Sequence, residues 1–334
     1  MKICIIGGGW VGCHLAFKLK TTHDVVLFEK NNNVFNETSF KNQNRLHLGY
    51  HYARNSKTRE LCFNTFEKFL NEYNFCINNL TKNYYCIPNN NSLIDFNTYL
   101  KIFNNYNFKI IKNDFLINVE GIINTNEKHI NFKICSEFFK KELNKIIINK
   151  YIDKKQLNSL KNKYDLIIDA TNNHLGLNNN KNNYFELTLS LIYKKIKDIP
   201  FDALTFVDGE LFSLYPYIDD LYTLTDVKET PLKKFKSIRK LNNYKNKLSI
   251  EDIKNKINLF EIHIKEYFPK FNEYFIFSDY FLSTKTKVIS NSDTRYPIIN
   301  EYDNIVSCFT GKIQGIYIIE DYINNKIKNE SFNR

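Results

Sequence analysis

Apolar positions along the first thirty residues come in three blocks with different periods. Lys2–Ile6 is a short apolar run, and Gly7, Gly8, Gly9 and Gly12 cluster behind it. Val11, Leu15 and Leu19 then recur at helical spacing through 10–20, with Ala16 beside them, and Asp24–Glu29 is apolar again. A pattern that switches from strand to helix period and back predicts a βαβ unit whose helix packs on a sheet through one face. Residues 31–56 have no clear period and are rich in Asn, so a long loop is expected, and loops of that length usually carry function. Over 57–73, Cys62, Phe66, Phe69 and Tyr73 share one stripe, which predicts a helix capped by Ser56.

Between 82 and 133 strand-like runs at 84–87, 108–111 and 115–119 alternate with polar turns. A helix is expected over 135–144, then an apolar run at 146–148, a charged turn, and a run over 164–169 that ends in Ala170-Thr171. Further strands are expected at 187–193, 203–207, 211–217 and 221–227. A helix over 250–268 places Ile253, Ile257, Phe260, Ile264 and Phe268 on one face, between a Ser249/Asp252 capping box and Pro269. A strand at 304–308, a Thr310-Gly311 turn and a helix from Ile313 close the chain. The order predicts an α/β fold: a Rossmann-like dinucleotide domain (1–75, 131–183 and 291–334) interrupted by a strand-rich substrate domain (76–130 and 184–290). Such interleaving puts a cleft between two lobes.

Composition narrows this picture. The 334 residues are 43% hydrophobic, enough to build two cooperating domains and too apolar for a disordered chain. The net charge of +11 is a modest excess of 47 Lys+Arg over 36 Asp+Glu. The one basic cluster, Lys233, Lys234, Lys236, Arg239 and Lys240, reads as a solvated loop without a recognition fold, so no nucleic-acid partner is expected. Seven scattered cysteines with no CxxC pair and no zinc spacing predict a reduced, cytoplasmic protein and no metal site. No run of 18 apolar residues occurs, so no membrane partner is expected.

With only 10 glycines in the chain, four of them between positions 7 and 12 stand out. Gly7-Gly8-Gly9-Trp10-Val11-Gly12 fits G-x-G-x-x-G directly after a strand and at the start of a helix, with Glu29 ending the next strand. In that context the first glycine permits the tight turn, the second lets backbone N–H groups approach a pyrophosphate, and the third allows close helix–strand packing. Glu29 is placed to accept from ribose hydroxyls. An NAD-type domain would continue through further βαβ units, whereas here a loop, a helix and strands follow Glu29, an order that favours FAD.

These residues resemble the FAD-dependent oxidoreductases of the D-amino-acid oxidase and glycine oxidase superfamily, in order along nearly the whole chain. Beyond Gly7 to Gly12 and Glu29, the loop Asn44-Arg45-Leu46-His47-Leu48-Gly49-Tyr50-His51-Tyr52 resembles the family segment beside the flavin ring. The run 164–171, ending Asp169-Ala170-Thr171, resembles the strand that ends near the cofactor. Arg295-Tyr296-Pro297 is similar to the family's R-x-P, and Thr310-Gly311-Lys312 to the opening of its last helix. The resemblance implies non-covalent FAD contacted by Gly7, Gly9, Trp10, Val11, Gly12, Glu29, Lys30, Asn44, Arg45, Leu46, Ala170, Thr171, Gly311, Lys312 and Ile313. Two departures stand out: Asn172 occupies the place of a family glycine, and Lys312-Ile313-Gln314-Gly315 replaces a glycine-rich helix start.

Four side chains are expected to serve the chemistry. A lysine at a helix N-terminus, Lys312, would stabilise negative charge on a reduced flavin. Arg295 can hold a carboxylate through two parallel hydrogen bonds, so the small-molecule substrate is expected to carry an anionic group. His47 and Tyr50 are candidates to face the ring. On the strand at 211–217, Ser213, Tyr215 and Tyr217 share one side, either lining the cleft or packing in the core. The expected function is oxidation of a small amine, amino acid or hydroxy acid by hydride transfer to the flavin. A flavoenzyme acting on a nucleotide-linked sugar and a non-catalytic FAD-binding protein are the alternatives.

Overall fold

The computed structural model describes residues 1–112, 114–177, 183–289 and 294–332. Its first sheet has six strands in the order Ile298–Tyr302, Ile305–Phe309, Leu166–Asp169, Lys2–Ile6, Asp24–Glu29, Ile147–Asn149. All neighbours run parallel except the first two. The central strands are buried on both faces, as a sheet covered by helices requires. The helices Trp10–Leu19, Ser56–Tyr73, Phe132–Glu142 and Ile316–Phe332 enclose a core in which Trp10 meets Phe35, Phe69, Tyr73 and Phe139.

A second, nine-stranded sheet is mainly antiparallel and is organised around Asn183–Lys195, which pairs with Phe275–Val288 along its whole length. A third, small sheet has three strands, Arg45–Leu46, Lys128–Ile130 and Ile77–Asn78. Thr38, Gln43 and Arg45 reach from this side to the nine-stranded sheet. Thr38 Oγ1 donates to Thr284 O (3.0 Å), Gln43 Nε2 to Ser213 O (3.1 Å), and Arg45 Nη1 to Thr205 Oγ1 (2.8 Å). Tyr215 and Tyr217 are buried and belong to this packing, Tyr215 under the Arg45 guanidinium and Tyr217 among Phe40, Phe132 and Phe281.

Several local expectations change. The helix Ser56–Tyr73 is capped by Asn55, whose side chain accepts from Thr58 N, and Ser56 is already inside it. The helix expected from Cys135 begins at Phe132 because Asn131 accepts from Ile134 N. The charged turn after 148 contains a helix, Lys154–Leu160, closed by an Asp153/Gln156 capping box. Residues 115–118 are not a strand, the next strand being Val119–Thr125, and a short helix, Phe96–Ile102, interrupts the strand-rich stretch. The basic cluster is not a loop: it spans the strand Pro231–Phe235 and the helix Ile238–Lys245. Phe275–Val288 escaped prediction because inward positions such as Ser283 and Thr286 are hydroxyl residues, which erase the hydropathy alternation.

Candidate functional site

The glycine turn sits where the strands Lys2–Ile6 and Leu166–Asp169 end side by side. Gly7 has φ of +107°, and a Cβ there would lie 2.7 Å from Ala170 O, so only glycine fits between the two strand ends. A Cβ on Gly12 would lie 1.8 Å from Gly7 O, which is the close helix–strand approach the motif requires. Ala170 N donates to Ile6 O, and the buried Asp169 carboxylate accepts from Thr171 N, Thr171 Oγ1 and Ser307 Oγ, fixing the Ala170-Thr171 turn beside the glycines. Asn172 follows at φ of +56°, in the left-handed region where asparagine substitutes for glycine best. The departure from the family glycine therefore keeps the backbone path.

Glu29 ends the second strand with its carboxylate against the turn. Oε2 accepts from Gly8 N (2.6 Å), and Oε1 from Asn31 N and Nδ2 (2.8 and 2.9 Å). A carboxylate offers about four acceptor positions, so about one remains for a ribose hydroxyl. Trp10 N donates to Ser39 Oγ (3.0 Å), and a Cβ on Gly9 would lie 2.9 Å from the same oxygen. Ser39 thus stands at the N-terminus of the helix Trp10–Leu19, a position that nothing near it in the sequence marked out.

A second group of side chains converges from distant segments. Lys312 Nζ lies 3.0 Å from His47 Nε2 and 4.8 Å from the centre of the Tyr52 ring. Lys312 is half-buried, and burial together with the neighbouring cations Arg295, Arg45 and Lys285 pushes its pKa down to about 7. Burial and the charges of Lys287 and Arg295 take Lys285 down to about 8. Burial and Lys312 hold His47 down at about 4, so it is a neutral imidazole at neutral pH. His51 is held well below its usual value, by burial first and then by Arg45 and Lys312. Arg295 packs its stem against Gly311, where a Cβ would meet the arginine Cβ and Cδ at 3.0 Å.

Beneath the loop, Glu127 is a fully buried carboxylate. It accepts from Leu48 N (2.7 Å), Gly49 N (3.1 Å) and Tyr85 OH (2.6 Å). Gln314 Nε2 donates to His47 O (2.7 Å) and Cys62 O (2.8 Å), joining the loop, the helix Ser56–Tyr73 and the last turn of the site. Glu127, Gln314, Lys285, Tyr52 and Ser39 were not among the expected site residues, since each acts through partners remote in sequence.

Other expected residues lie elsewhere. Tyr50 is turned away: its ring packs among Tyr85, Phe103 and Tyr106, and its hydroxyl donates to Asn107 O. Leu46 and the Trp10 ring are core, Lys30 pairs with Glu37, and Asn44 shapes the loop at φ of +49°. Val11 is half-buried in the first helix, and Ile313 lies in a 3-10 turn, Ile313–Gly315. That turn corrects the last helix start, which is at Ile316: a Cβ on Gly315 would sit 2.0 Å from Thr310 Oγ1, so the chain tightens there before the α-helix begins. Lys312 consequently precedes the helix by a full turn.

A glycine turn between the ends of parallel strands, with an acid ending the second strand, is the geometry of a dinucleotide-binding site. The comparisons agree. The family model for FAD dependent oxidoreductases (DAO) matches residues 2–85. The FAD-dependent monooxygenase FPY4 of Fusarium mangiferae is 32% identical over 340 residues, covering 98% of this chain and 91% of the relative. Among solved structures, glycine oxidase from Geobacillus kaustophilus superposes with a TM-score of 0.67 at 9% identity, covering 98% of this chain and 94% of that one. L-alpha-glycerophosphate oxidase from Mycoplasma pneumoniae, solved with FAD bound, gives 0.66 at 14% identity, covering 96% and 92%. The chain belongs to the FAD-dependent oxidoreductase family of the D-amino-acid oxidase type; it is an enzyme, and its cofactor is FAD. The expected fold and cofactor are borne out, and the non-catalytic alternative is set aside. Among the described residues no helix is long and apolar enough to cross a membrane.

Proposed function

We propose that the enzyme oxidises a small amine, amino acid or hydroxy acid that carries an anionic group. The observation that carries this reading is the packing of Arg295 against Gly311, next to Lys312, with burial first and then the Arg295 charge lowering both Lys312 and Lys285. Like charges gathered in a partly dehydrated site are stabilised when an anion joins them. In this reading, Gly7, Gly9 and Gly12 with Ser39 receive the cofactor's pyrophosphate, Glu29 a ribose hydroxyl, and Ala170-Thr171 the turn beside it. The segments 1–75, 131–183 and 291–334 hold the cofactor, and 76–130 and 184–290 cover the substrate; the boundary at 290/291 lies outside the described residues.

When bound, FAD would supply the two-electron acceptor for hydride from a carbon that bears an amine or hydroxyl. Arg295 orients the substrate by holding its anionic group, since a guanidinium fixes both oxygens of a carboxylate at once. Lys312 would contribute positive charge that favours the negative charge of a reduced flavin. Arg45, engaged with Thr205, Gln43 and the Tyr215 ring, braces the two lobes rather than binding substrate.

A second reading, oxygen insertion, is favoured by the relative matched over nearly the whole chain, an FAD-dependent monooxygenase. One experiment separates them. The FAD-loaded protein is mixed anaerobically with panels of amines, amino acids and hydroxy acids, and the flavin absorbance is followed. Bleaching by one of them supports the proposal, and panels that leave the flavin oxidised would overturn it. Incorporation of ¹⁸O₂ into an organic product supports the second reading instead.

A further inference from the structure

We propose that Glu127 is a positioning residue: from beneath the loop it fixes His47 as the tautomer protonated on Nδ1, so that His47 Nε2 holds the Lys312 ammonium in the site. The inference rests on the reading of Lys312 given above. Glu127 Oε2 lies 3.5 Å from His47 Nδ1, an electrostatic contact and not an aligned hydrogen bond, and the opposite ring nitrogen, Nε2, is 3.0 Å from Lys312 Nζ. A carboxylate can only accept and an ammonium can only donate, so the imidazole between them has one polarity that suits both. A proton on Nδ1 faces the carboxylate, and the bare Nε2 lone pair faces the ammonium. The other tautomer sets an N–H against the ammonium and a lone pair against the carboxylate, and both contacts repel.

The surroundings hold this chain of three residues in place. Leu48 N, Gly49 N and Tyr85 OH leave the carboxylate no room to turn, and Gln314 ties down the His47 carbonyl. Facing Lys312 are Arg45, Lys285, Arg295, Cys62 and the Tyr52 ring. His51 faces His47, Tyr85 OH bonds Glu127, and Tyr50, Tyr99, Tyr215 and Arg45 are the other titratable groups that feel its charge. Burial raises the Glu127 pKa, but His47, Tyr85 and Arg45 more than reverse this and hold it below the usual carboxylate range. Glu127 is therefore ionised and stands behind His47 as the buried counter-charge to this cationic wall. Second-layer carboxylates that set a histidine tautomer are a general device where the ring's other nitrogen must accept.

The test compares wild type, Glu127→Gln, His47→Gln and the double variant as FAD-loaded proteins. Histidine ¹⁵N NMR reads the His47 tautomer, its signals identified by their loss in His47→Gln. The pH midpoint of the flavin absorbance, in the transition that Lys312→Met abolishes, reads the lysine. The wild type is expected to be protonated on Nδ1. In Glu127→Gln the proton moves toward Nε2, and the midpoint falls by about one unit, a tenfold change, because an anion that favoured the ammonium is gone. In the His47→Gln background, Glu127→Gln should shift the midpoint less than about threefold, as a chain running through the ring requires. Protonation of wild-type His47 on Nε2, or a Glu127→Gln variant in which tautomer and midpoint both stay put, overturns the proposal. Should Glu127→Gln fail to fold, the wild-type tautomer decides alone. Absence of any flavin spectrum in the wild type would count against the functional reading and leave the histidine result standing.

Discussion

The glycine turn and the cationic wall are built by opposite means. The turn is made mostly of backbone: Gly7, Gly9 and Gly12 shape it, Ala170 and Thr171 close it, and its two side-chain acids, Glu29 and Asp169, each accept from main-chain N–H groups. The wall is made of side chains brought from the loop near 45–51, the strand Phe275–Val288, and the segment around Arg295 and Lys312. A backbone-built site fails first through steric overlap. A side-chain-built site fails through lost charge and titrates.

The sharpest contrast comes from Gly12→Ala. Its new Cβ would meet Gly7 O at 1.8 Å, and the helix and strand cannot both keep their places. The expected cost is about 3 kcal/mol of stability, the upper range for overpacking, with loss of bound FAD. Thermal unfolding and the flavin absorbance of the purified variant measure both. Retention of both at wild-type levels would break the claim that backbone contact alone builds this half of the site.

Lys312→Met probes the other half. It keeps length and packing while removing one positive charge, so the fold should persist. Affinity for an anionic substrate or inhibitor should fall by about 2 kcal/mol, roughly thirtyfold, as for a charge-assisted hydrogen bond. Titration of the flavin spectrum with a small carboxylate gives the number. A change below threefold would move the anion site away from Lys312.

The pH dependence follows with its sign. The protonated forms of Lys312 and Lys285 attract an anion, and their pKa values without ligand are about 7 and about 8. Anion binding raises both values, so affinity is constant below pH 7 and declines above it, by up to about tenfold per pH unit for each lysine that must take up a proton. The same depression makes the unliganded protein more stable as pH rises from about 7 toward the ordinary lysine range, because the unfolded chain there binds more protons. Isothermal titration of a carboxylate at pH 6, 7, 8 and 9 checks the first trend, and melting temperature the second. Affinity that improves above pH 7 would contradict the wall as drawn.

The two halves also differed in how far the sequence revealed them. The turn was readable because its glycines and Glu29 lie within thirty residues, in a spacing whose physical meaning is local: a strand end, a φ that favours glycine, a helix start, an acid on the next strand. His47 and Lys312 could be singled out as candidates, but their contact could not, because 265 positions separate them. Glu127 was invisible for the same reason, being one acid in a turn whose only distinction is what folds over it. Tyr50 misled because the aromatic loop it belongs to divides, Tyr52 facing the lysine and Tyr50 the core. The strand Phe275–Val288, which carries Lys285, was hidden by the hydroxyl residues on its inward face.

The smallest expected effect lies where the halves touch. Asn172 continues from the Ala170-Thr171 turn and binds the strand Phe275–Val288: its carbonyl accepts from Thr286 Oγ1 (2.5 Å), and its Nδ2 reaches Thr284 O at 3.5 Å. Two explanations of this asparagine compete. If it is there for its φ of +56°, glycine should replace it with a change within about 0.5 kcal/mol, whereas alanine should cost about 1 kcal/mol for entering the left-handed region. If its amide instead ties the lobes together, glycine and alanine should cost the same. The long Nδ2 contact favours the first, since a hydrogen bond at 3.5 Å contributes little, while the short one uses backbone that either variant keeps. Urea unfolding of Asn172→Gly and Asn172→Ala decides it. Glycine near wild type with alanine below it would assign Asn172 to the backbone-built half, and equal losses would extend the side-chain half across to the turn.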